Sequence, residues 1–372
     1  MSALNPWGDF GIKDYTKLIQ DFGITPLNET FVDLNDNKYY RRGMLVGHRD
    51  LDKFLSEAKS GKAVAILSGI KPSGIFHIGS MITAEQMIYF QRKYSNAFLF
   101  YSIADLEAYV DNGQSLDKSD EIAIFNVADM IALGMNPERA VTYKQSSALA
   151  VSDLAFIFSD DVTFNMLVDI YGERKISLYF AALVQAGDIF LPETKPFNGP
   201  KPVLVPVGAD QDPHLRLARD LAAKHKEDLQ LIPPSAIYHK LVRSLTGEDK
   251  MSKRTPQSMI TLSDKKEELK QKIMNAFTGG RATIKEQKEL GGEPEKCPVF
   301  DLYIYFAKDD KQIKNVYDEC KNGVRICGGC KSEAYGLVSD FIEDHQAKRS
   351  AAINEAKALL KNGDSLVLKR PV

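Results

Sequence analysis

The sequence predicts an α/β fold with a doubly wound parallel sheet, preceded by an N-terminal extension and followed by a C-terminal helical domain. From Lys62 onward, short apolar runs alternate with segments of helical periodicity, which is the pattern of a parallel sheet with crossover helices. A glycine-rich stretch at 68–80 directly follows the first apolar run. After Asp264 the chain is lysine-rich and has no strand pattern, so we expect helices there.

Residues 1–60 are predicted to form the extension, with two short helices. Apolar side chains recur at helical spacing between Tyr15 and Phe22. A second helical pattern covers 50–60, and the glycine that follows it, Gly61, favours helix termination.

Apolar runs at four places are predicted as strands: 64–67, 97–103, 141–143 and 203–207. Helices are predicted to start at Met81 and to cover 119–133, the mostly helical stretch 151–187, and 212–225. We expect Ser119 to cap the helix at 119–133, since its hydroxyl can accept a free backbone N–H. Gly134 is expected to end that helix, because glycine tolerates left-handed backbone.

The alternation predicts a Rossmann-like nucleotide-binding domain at 61–260, in which the stretch 151–187 is a helical insertion between two halves. A helical domain is predicted at 261–372. In doubly wound sheets, ligands bind beyond the carboxyl ends of the strands. The stretches 68–80 and 208–213 both lie just after predicted strands, so both can face one crevice.

The composition is of ordinary polarity, with 44% hydrophobic and 26% charged residues among 372. No run of about twenty apolar residues is present, and the start MSALNPWGDFGIKDY lacks the basic-then-apolar pattern of a secretion signal. We therefore expect a cytoplasmic protein without membrane contact. The net charge of −2 gives no overall attraction for nucleic acid, so an RNA partner would need a local basic surface.

The stretch SGIKPSGIFHIGS at 68–80 is the first candidate site. Gly69, Gly74 and Gly79 let a ligand approach the backbone, and a helix that starts nearby presents free N–H groups to a phosphate. The spacing matches neither the dinucleotide fingerprint nor the P-loop. Taken alone, a His-Ile-Gly tripeptide such as that at His77 is more often part of a core.

The stretch KMSKR at 250–254, which follows a polar loop, is the second candidate site. Lys250 and Lys253 can neutralise the charge that develops on pyrophosphate when the α-phosphate of ATP is attacked. Met251 and Ser252 set the distance between these lysines, and a mobile loop admits substrate before it closes. Lysines in a loop are more often simply solvated at the surface. The occurrence of this loop together with the glycine-rich stretch at His77 is a far more specific indication of a catalytic site than either stretch alone.

The four cysteines all lie in the last quarter of the chain, at Cys297, Cys320, Cys327 and Cys330. Their pattern, C-x22-C-x6-C-x2-C, supports tetrahedral zinc or a four-iron cluster equally well. Free thiols are the third alternative. A disulfide framework is not expected in a cytoplasmic protein.

Both candidate sites together resemble the class I aminoacyl-tRNA synthetases, whose HIGH-type and KMSKS-type loops correspond to 77–80 and 250–254. From about Pro6 to its end, the chain is most similar to the tryptophanyl enzymes of archaeal type. Three segments carry this resemblance: VPVGADQDPHLRLARD at 205–220, GGRATIKEQKELGG at 279–292 and EDHQAKR at 343–349. Tyrosyl enzymes resemble the SGIKPSG and IADLEAY stretches too, but they usually lack the DQDP tetrad.

The resemblance implies a ligase that activates L-tryptophan with ATP and Mg²⁺ and transfers it to tRNA(Trp). It also implies a symmetric homodimer whose helical domain binds the anticodon. The implied catalytic residues are His77, Lys250, Ser252 and Lys253. The implied ATP-binding residues are Ser68, Gly69, Lys71, Pro72, Gly74, His77, Gly79, Ser80, Gly208, Asp210, Lys250 and Met251.

The tryptophan site implied by the resemblance includes Gln185, Asp188 and Gln211. Indole offers one N–H donor and no acceptor, so Asp188 is expected to accept that N–H; a helix-end cap is its alternative role. Two positions depart from the family pattern. Ser80 replaces the second histidine of the HIGH motif, and Leu67 stands where the eukaryotic branch has a tyrosine.

The cysteine spacing resembles that of tryptophanyl enzymes with a [4Fe–4S] cluster near the anticodon-binding surface, so we expect this cluster first and zinc second. Aromatic side chains of the helical domain are candidates for anticodon stacking, although core positions are commoner for them: Tyr303, Tyr305, Phe306 and Tyr317. Three rival functions stay open, namely a tyrosyl enzyme, a non-catalytic RNA-binding paralogue and a small-molecule adenylating ligase.

Overall fold

The computed structural model describes residues 14–28, 30–72, 74, 76–251 and 255–367. Its centre is a seven-stranded sheet with the order β1-β2-β7-β6-β3-β4-β5. The strands are β1 Thr25–Pro26, β2 Leu45–Arg49, β3 Val64–Ile70, β4 Ala97–Ile103, β5 Ala140–Lys144, β6 Val203–Gly208 and β7 Ser235–His239.

The strands from β7 to β5 are parallel to one another, whereas β1 and β2 add an antiparallel edge beside β7. The predicted α/β class with a doubly wound parallel sheet is confirmed. Three strands of this sheet, β1, β2 and β7, were not expected from the sequence. The extension at 1–60 therefore contributes strands to the same sheet as the nucleotide fold.

Helices pack around the sheet, and they occur throughout the described part of the chain. They are α1 Tyr15–Asp21, α2 Lys38–Arg41, α3 Leu51–Lys59, α4 Ile78–Lys93, α5 Asp105–Asn112, α6 Leu116–Leu133, α7 Leu149–Ser159, α8 Phe164–Tyr171, α9 Ile176–Phe190, α10 Asp212–Lys224, α11 Lys266–Met274, α12 Ile284–Leu290, α13 Pro298–Phe306, α14 Asp310–Lys321 and α15 Cys327–Leu366.

The start of α6 differs from the prediction. Ser115 is its N-cap and accepts the backbone N–H of Lys118, whereas Ser119 lies inside the helix and is fully buried. The Ser119 hydroxyl instead accepts the side-chain amide of Gln114 at 2.9 Å. Gly134 ends the helix in left-handed backbone with φ 104°, as expected.

Two hydrophobic cores lie on the two faces of the sheet. One core contains apolar side chains of α3, α4, α6, α11, α13 and α15, and the other contains those of α7, α8, α9 and α10. Burial on both faces explains why β3 and β4 are almost continuously apolar and do not alternate. The insertion α7–α9 thus forms one of the two helical layers.

The long helix α15 packs along α6 and covers the β5 edge of the sheet. The backbone N–H of Lys144 in β5 donates to the Asp364 carboxylate at 2.9 Å. A Cβ at Gly363 would lie 1.7 Å from the carbonyl oxygen of Thr142, so glycine allows this close approach. Covering this edge removes a site where another strand could pair.

Along the described part of the chain, no helix has the length and apolar character needed to cross a membrane. Residues 265–367 form helices and connecting turns, in agreement with the expected helical C-terminal region. The domain boundaries at 60 and 260 stay predictions.

Candidate active site

Two adjoining cavities open at the carboxyl ends of β3 and β6, where these two strands are neighbours in the sheet. Their volumes are about 240 Å³ and about 250 Å³. We call the first the inner cavity and the second the loop cavity. Residues that line both are Gly69, Ile70, Thr83, Gly208 and Gln211. These five residues form a wall common to both cavities, so the two cavities adjoin.

The loop cavity brings the two candidate loops together. Its lining includes His77, the N-cap of α4, and Gly79 and Ser80 from the first turn of that helix, together with Lys250 and Met251. Ser252, Lys253 and Arg254 lie outside the described residues. His77 and Lys250 therefore face one cavity, although they lie far apart in the sequence.

His77 is the N-cap of α4, and its Nδ1 accepts the backbone N–H of Gly79 at 3.0 Å. Its Nε2 lies 3.5 Å from the Ser80 hydroxyl. The N-terminal end of α4, where the positive end of the helix dipole favours a phosphate, therefore lies at this cavity.

Asp210 and Lys250 form an ion pair in the loop cavity, with the carboxylate Oδ2 2.9 Å from Nζ. Both side chains are largely shielded from solvent, with 11% and 22% of their surfaces exposed. Asp210 follows β6 directly, whereas Lys250 belongs to the lysine-bearing loop. The pair therefore joins Lys250 to the segment that follows β6.

Glycines in the site make room for the protein's own groups. A Cβ at Gly79 would lie 2.8 Å from the His77 ring, and a Cβ at Gly208 would lie 2.7 Å from the Asp210 carboxylate. At Gly69 the Cβ would approach the carbonyl oxygen of Ser102 to 2.6 Å. For Gly69 and Gly79 the predicted reason was ligand approach, and the structure adds the packing of site residues.

The inner cavity is lined by Asp188 of α9, which is buried and accepts two hydrogen bonds. Tyr143 donates its hydroxyl to Oδ1 at 2.8 Å, and Gln145 donates its amide to Oδ2 at 2.7 Å. Burial raises the pKa of Asp188 to about 7, although these two donors act in the opposite direction. Asp188 lies within α9, two residues before its last residue, and does not act as an end cap.

A charged cluster at the mouth of the inner cavity was not predicted. Lys71 pairs with Glu107 at 3.2 Å and with Asp111, and Gln185 donates to Glu107 at 3.4 Å. Burial would lower the pKa of Lys71, but the Glu107 and Asp111 carboxylates outweigh burial and raise it. Glu107 lies in the IADLEAY stretch. That stretch contributes to the family resemblance, but no site role was predicted for Glu107.

His214, which follows the DQDP tetrad, also lines the inner cavity. Its Nδ1 lies 3.0 Å from the Tyr171 hydroxyl, and burial lowers its pKa to about 3. His214 is therefore neutral at physiological pH and adds no charge to the cavity. Asp212 is fully buried and pairs with Arg49 at 2.8 Å, so this second aspartate of the tetrad anchors α10 to β2.

The remaining predicted site residues are divided between the two cavities and their surroundings. Ser68 lines the inner cavity together with Gln185 and Gln211. Pro72 and Gly74 line neither cavity, and the Pro72 carbonyl accepts the side-chain amide of Gln114.

The four cysteines line one small cavity in the helical region, between α13, α14 and the start of α15. Burial, and then the neighbouring thiols, raise the pKa of Cys320 to about 11. A Cβ at Gly280 would lie 2.3 Å from Cys327 Sγ, and one at Gly292 would lie 2.7 Å from Cys320 Sγ. Glycine backbone thus closes around the thiols.

No set of three or more His, Cys, Asp or Glu side chains in the described ranges is spaced to hold a metal ion. The predicted iron–sulfur centre is therefore not confirmed. Tyr303 and Tyr305, two candidates for anticodon stacking, are buried, which favours the alternative that they belong to the core.

A family model for tRNA synthetases of class I, in the W and Y group, matches residues 59–343. The chain therefore belongs to the class I tRNA synthetases, the class for which the predicted pair of loops is typical.

Relatives within that class are similar over nearly their whole length. The tryptophan–tRNA ligase of Methanocaldococcus jannaschii is 38% identical, with 97% of this chain and 99% of the relative covered. That of Aeropyrum pernix is 40% identical, with 94% and 95% covered. The crystal structure of tryptophanyl-tRNA synthetase from Aeropyrum pernix K1 has a TM-score of 0.88 at 39% identity, with 96% and 98% covered. Within class I, the chain belongs to the tryptophan–tRNA ligases.

Proposed function

We propose that this protein activates L-tryptophan with ATP and Mg²⁺ and transfers it to tRNA(Trp), with tryptophan in the inner cavity and ATP in the loop cavity. The observation that carries this proposal is the shared wall of the two cavities. It allows an amino-acid carboxylate in one cavity to meet the α-phosphate in the other, which is the geometry that adenylate formation needs.

ATP would bind with its ribose on Asp210, because a carboxylate can accept hydrogen bonds from both ribose hydroxyls. Its phosphates would lie near His77 and the first N–H groups of α4, whose positive end favours phosphate. Ribose binding would compete with Lys250 for Asp210. The released Lys250, together with Lys253, would then neutralise the leaving pyrophosphate, which carries Mg²⁺.

Tryptophan would bind with its indole N–H directed to Asp188. Both oxygens of Asp188 already accept one hydrogen bond each, and a carboxylate oxygen has a second lone pair for the indole. Glu107 is placed to accept the α-ammonium group, with Gln185 beside it and Gln211 on the shared wall. A phenylalanine in this site would lack the hydrogen bond from indole to the charged Asp188, which is a loss of about 1.5–3 kcal/mol.

The amino-acid dependence of ATP–pyrophosphate exchange tests this proposal. We expect exchange with tryptophan. The kcat/KM values for tyrosine and phenylalanine should each be lower than that for tryptophan by a factor of about 100 or more. Efficient exchange with tyrosine would support the tyrosyl alternative. No exchange with any amino acid, together with retained tRNA binding, would support the non-catalytic paralogue.

Replacing Asp188 by asparagine separates the pocket from the ATP machinery. We expect the D188N variant to lose selectivity against phenylalanine by about tenfold or more, since the charged acceptor is gone. Asp153, a carboxylate in the neighbouring α7 that lines neither cavity, is the matched control as D153N. Unchanged selectivity in D188N would remove Asp188 from indole recognition.

The cysteine cavity is proposed to hold a [4Fe–4S] cluster, with zinc as the alternative. The fit rests on four thiols around one cavity and on glycines at two positions where a Cβ would collide with a thiol. A single zinc ion needs four sulfurs at about 2.3 Å from one centre, whereas a four-iron cluster binds each thiolate at a different iron. When bound, the cluster would cross-link α13, α14 and α15.

Anaerobic purification tests the cluster. We expect a brown protein with broad visible absorbance, and loss of both colour and iron in a Cys327→Ser variant. A colourless protein that contains stoichiometric zinc would show that the cysteines bind zinc and not a cluster. A metal-free protein would favour free thiols.

A homodimer is the proposed assembly. Three helices of the insertion carry large apolar side chains that are exposed: Phe156 in α7, Phe164 in α8, and Ile176 and Phe180 in α9. Exposed apolar surface of this kind is typical of protein–protein contacts, and a second copy would cover it symmetrically. A cytoplasmic location stays a prediction.

A further inference from the structure

We infer that Gln346, in the EDHQAKR stretch of α15, is a positioning residue for the His77 turn. It acts through residues 260–264, which we call the clasp segment. The clasp segment follows the lysine-bearing loop in the chain and contacts the His77 turn. This inference rests on the assignment of His77 to the ATP site.

The clasp segment pairs with the His77 turn through backbone hydrogen bonds. The N–H of Leu262 donates to the Phe76 carbonyl at 2.8 Å, and the N–H of Ile78 donates to the Ile260 carbonyl at 3.3 Å. His77 and Thr261 form an isolated antiparallel bridge between these bonds. The backbone of His77 therefore follows any displacement of the clasp segment.

The clasp segment itself is held by a buried charged group. Asp264 accepts the backbone N–H of Thr261 at 3.3 Å and the Thr261 hydroxyl. Lys272 of α11 pairs with Asp264 at 2.8 Å, and the exposed fractions of these two side chains are only 2% and 4%. A buried, hydrogen-bonded ion pair of this kind keeps the segment in one conformation.

Side chains of α15 donate hydrogen bonds to the clasp segment, mainly to backbone carbonyl groups of that segment. The side-chain amide of Gln346 donates to the carbonyls of Leu262 and Asp264, both at 3.1 Å. One turn later, Arg349 donates to the Ser263 hydroxyl at 2.6 Å. Three consecutive residues of the clasp segment are thus held by two side chains of α15.

This part of α15 is anchored in turn to the helical layer of the nucleotide fold. His345 Nε2 lies 2.8 Å from the Asp129 carboxylate of α6, and both side chains are only 2% exposed. Arg349 also approaches Asp129 at 3.4 Å. The clasp segment, and with it the His77 turn, is therefore held at a fixed distance from α6.

A further backbone hydrogen bond links the two ends of the lysine-bearing loop just before the clasp segment. The N–H of Leu245 donates to the Ser258 carbonyl at 2.9 Å, which closes the base of the lysine-bearing loop just before the clasp segment. A shift of the clasp segment would displace His77 on one side and the end of this loop on the other. The inner cavity does not contain clasp residues, so tryptophan binding should be spared.

Steady-state pyrophosphate exchange with Gln346→Met tests the inference. Methionine keeps the volume of glutamine but has no donor, so both clasp carbonyls lose their partner. We expect kcat/KM for ATP to fall about tenfold per active site, while KM for tryptophan changes less than about twofold. The control is Lys348→Met in the same stretch, since Lys348 is exposed and pairs with Asp344 on α15.

Active-site titration separates positioning from a loss of folded protein, because an inactive fraction lowers apparent kcat and leaves both KM values unchanged. The inference would be overturned if KM for ATP and KM for tryptophan rose by the same factor. It would also be overturned if neither kcat/KM for ATP nor KM for tryptophan changed. If Gln346→Met does not fold, Ser263→Ala removes the Arg349 contact without opening a large cavity and should show the same ATP-specific effect, only smaller. Wild-type exchange that depends on tryptophan keeps the proposed function intact whichever result is found.

Discussion

The ion pair between Asp210 and Lys250 gives each side chain a partner that the proposed binding of ATP would exchange for another. The two side chains lie 2.9 Å apart, at the place where the proposed ribose would bind. A lysine that leaves this aspartate when ATP arrives becomes available for the phosphates without any change of fold. The contribution of Lys250 should therefore be larger for the rate of the chemical step than for the affinity for tryptophan.

Replacing Lys250 by methionine should lower kcat of pyrophosphate exchange by about a hundredfold, since one charge that stabilises the transition state is lost. Tryptophan affinity, measured by equilibrium dialysis, should stay within about twofold. Lys224→Met is the control, because Lys224 is a surface lysine of α10 that pairs with Asp161. Equal losses of kcat and of tryptophan affinity in Lys250→Met would contradict the assigned role.

Asp188 predicts a pH dependence of tryptophan binding. Its pKa is raised to about 7 by burial, so the carboxyl becomes protonated as the pH falls below that value. The charged form is the stronger acceptor for an indole N–H, so KM for tryptophan should rise about fivefold to tenfold between about pH 8 and about pH 6. The D188N variant should show a weaker affinity that does not vary over this range. A wild-type KM that is independent of pH would exclude the carboxylate as the acceptor.

At the scale of elements, α15 combines two kinds of glycine. Gly336 has nothing within 4 Å of the position where a Cβ would be, whereas Gly363 lies against the carbonyl oxygen of Thr142 in β5. The first is a glycine that the helix does not need for packing. The second lets a 40-residue helix approach the edge of the sheet.

Alanine at these two positions should have opposite effects on stability. Gly336→Ala should raise the free energy of unfolding by up to about 1 kcal/mol, because alanine favours helix. Gly363→Ala should lower it by about 1–3 kcal/mol, because the helix or the strand must shift. Urea unfolding measures both, and a stabilised Gly363→Ala would mean that α15 does not pack against β5 as described.

At the scale of the whole molecule, the apolar side chains of α7 and α9 predict self-association. The double variant Phe156→Glu/Phe180→Glu should be monomeric in sedimentation equilibrium, whereas the unchanged chain should be a dimer, since charge would have to be buried in the contact. Val32→Glu is the matched control, because Val32 is 66% exposed in the N-terminal extension. A monomeric unchanged chain would contradict the proposed homodimer.

Much of this architecture follows from local sequence pattern. The apolar runs at β3, β4, β5 and β6 were recognised because strands buried on both faces are continuously apolar. Gly134 was recognised as a helix end for a local reason too, since left-handed backbone strongly favours glycine. The two loops were recognised from their motifs, which are short and continuous in the chain.

Other features depended on contacts between distant segments and were missed. The strands β2 and β7 lack an alternating pattern, and their antiparallel pairing joins the N-terminal extension to the nucleotide fold. The helix α6 begins before Ser119, so Ser115 is its cap and Ser119 is buried inside it. Local propensity is a weak guide wherever tertiary contacts decide between similar alternatives.

The sequence by itself determined the class of fold, the pair of loops and the family resemblance, because these depend on residue type at fixed spacing. Only the tertiary structure decided that His77 and Lys250 face one cavity, that Lys250 rests on Asp210, and that Gln346 holds the clasp segment. Each of these statements is a distance between atoms far apart in the chain. Such distances arise from the packing of whole helices and strands, which a linear pattern does not record.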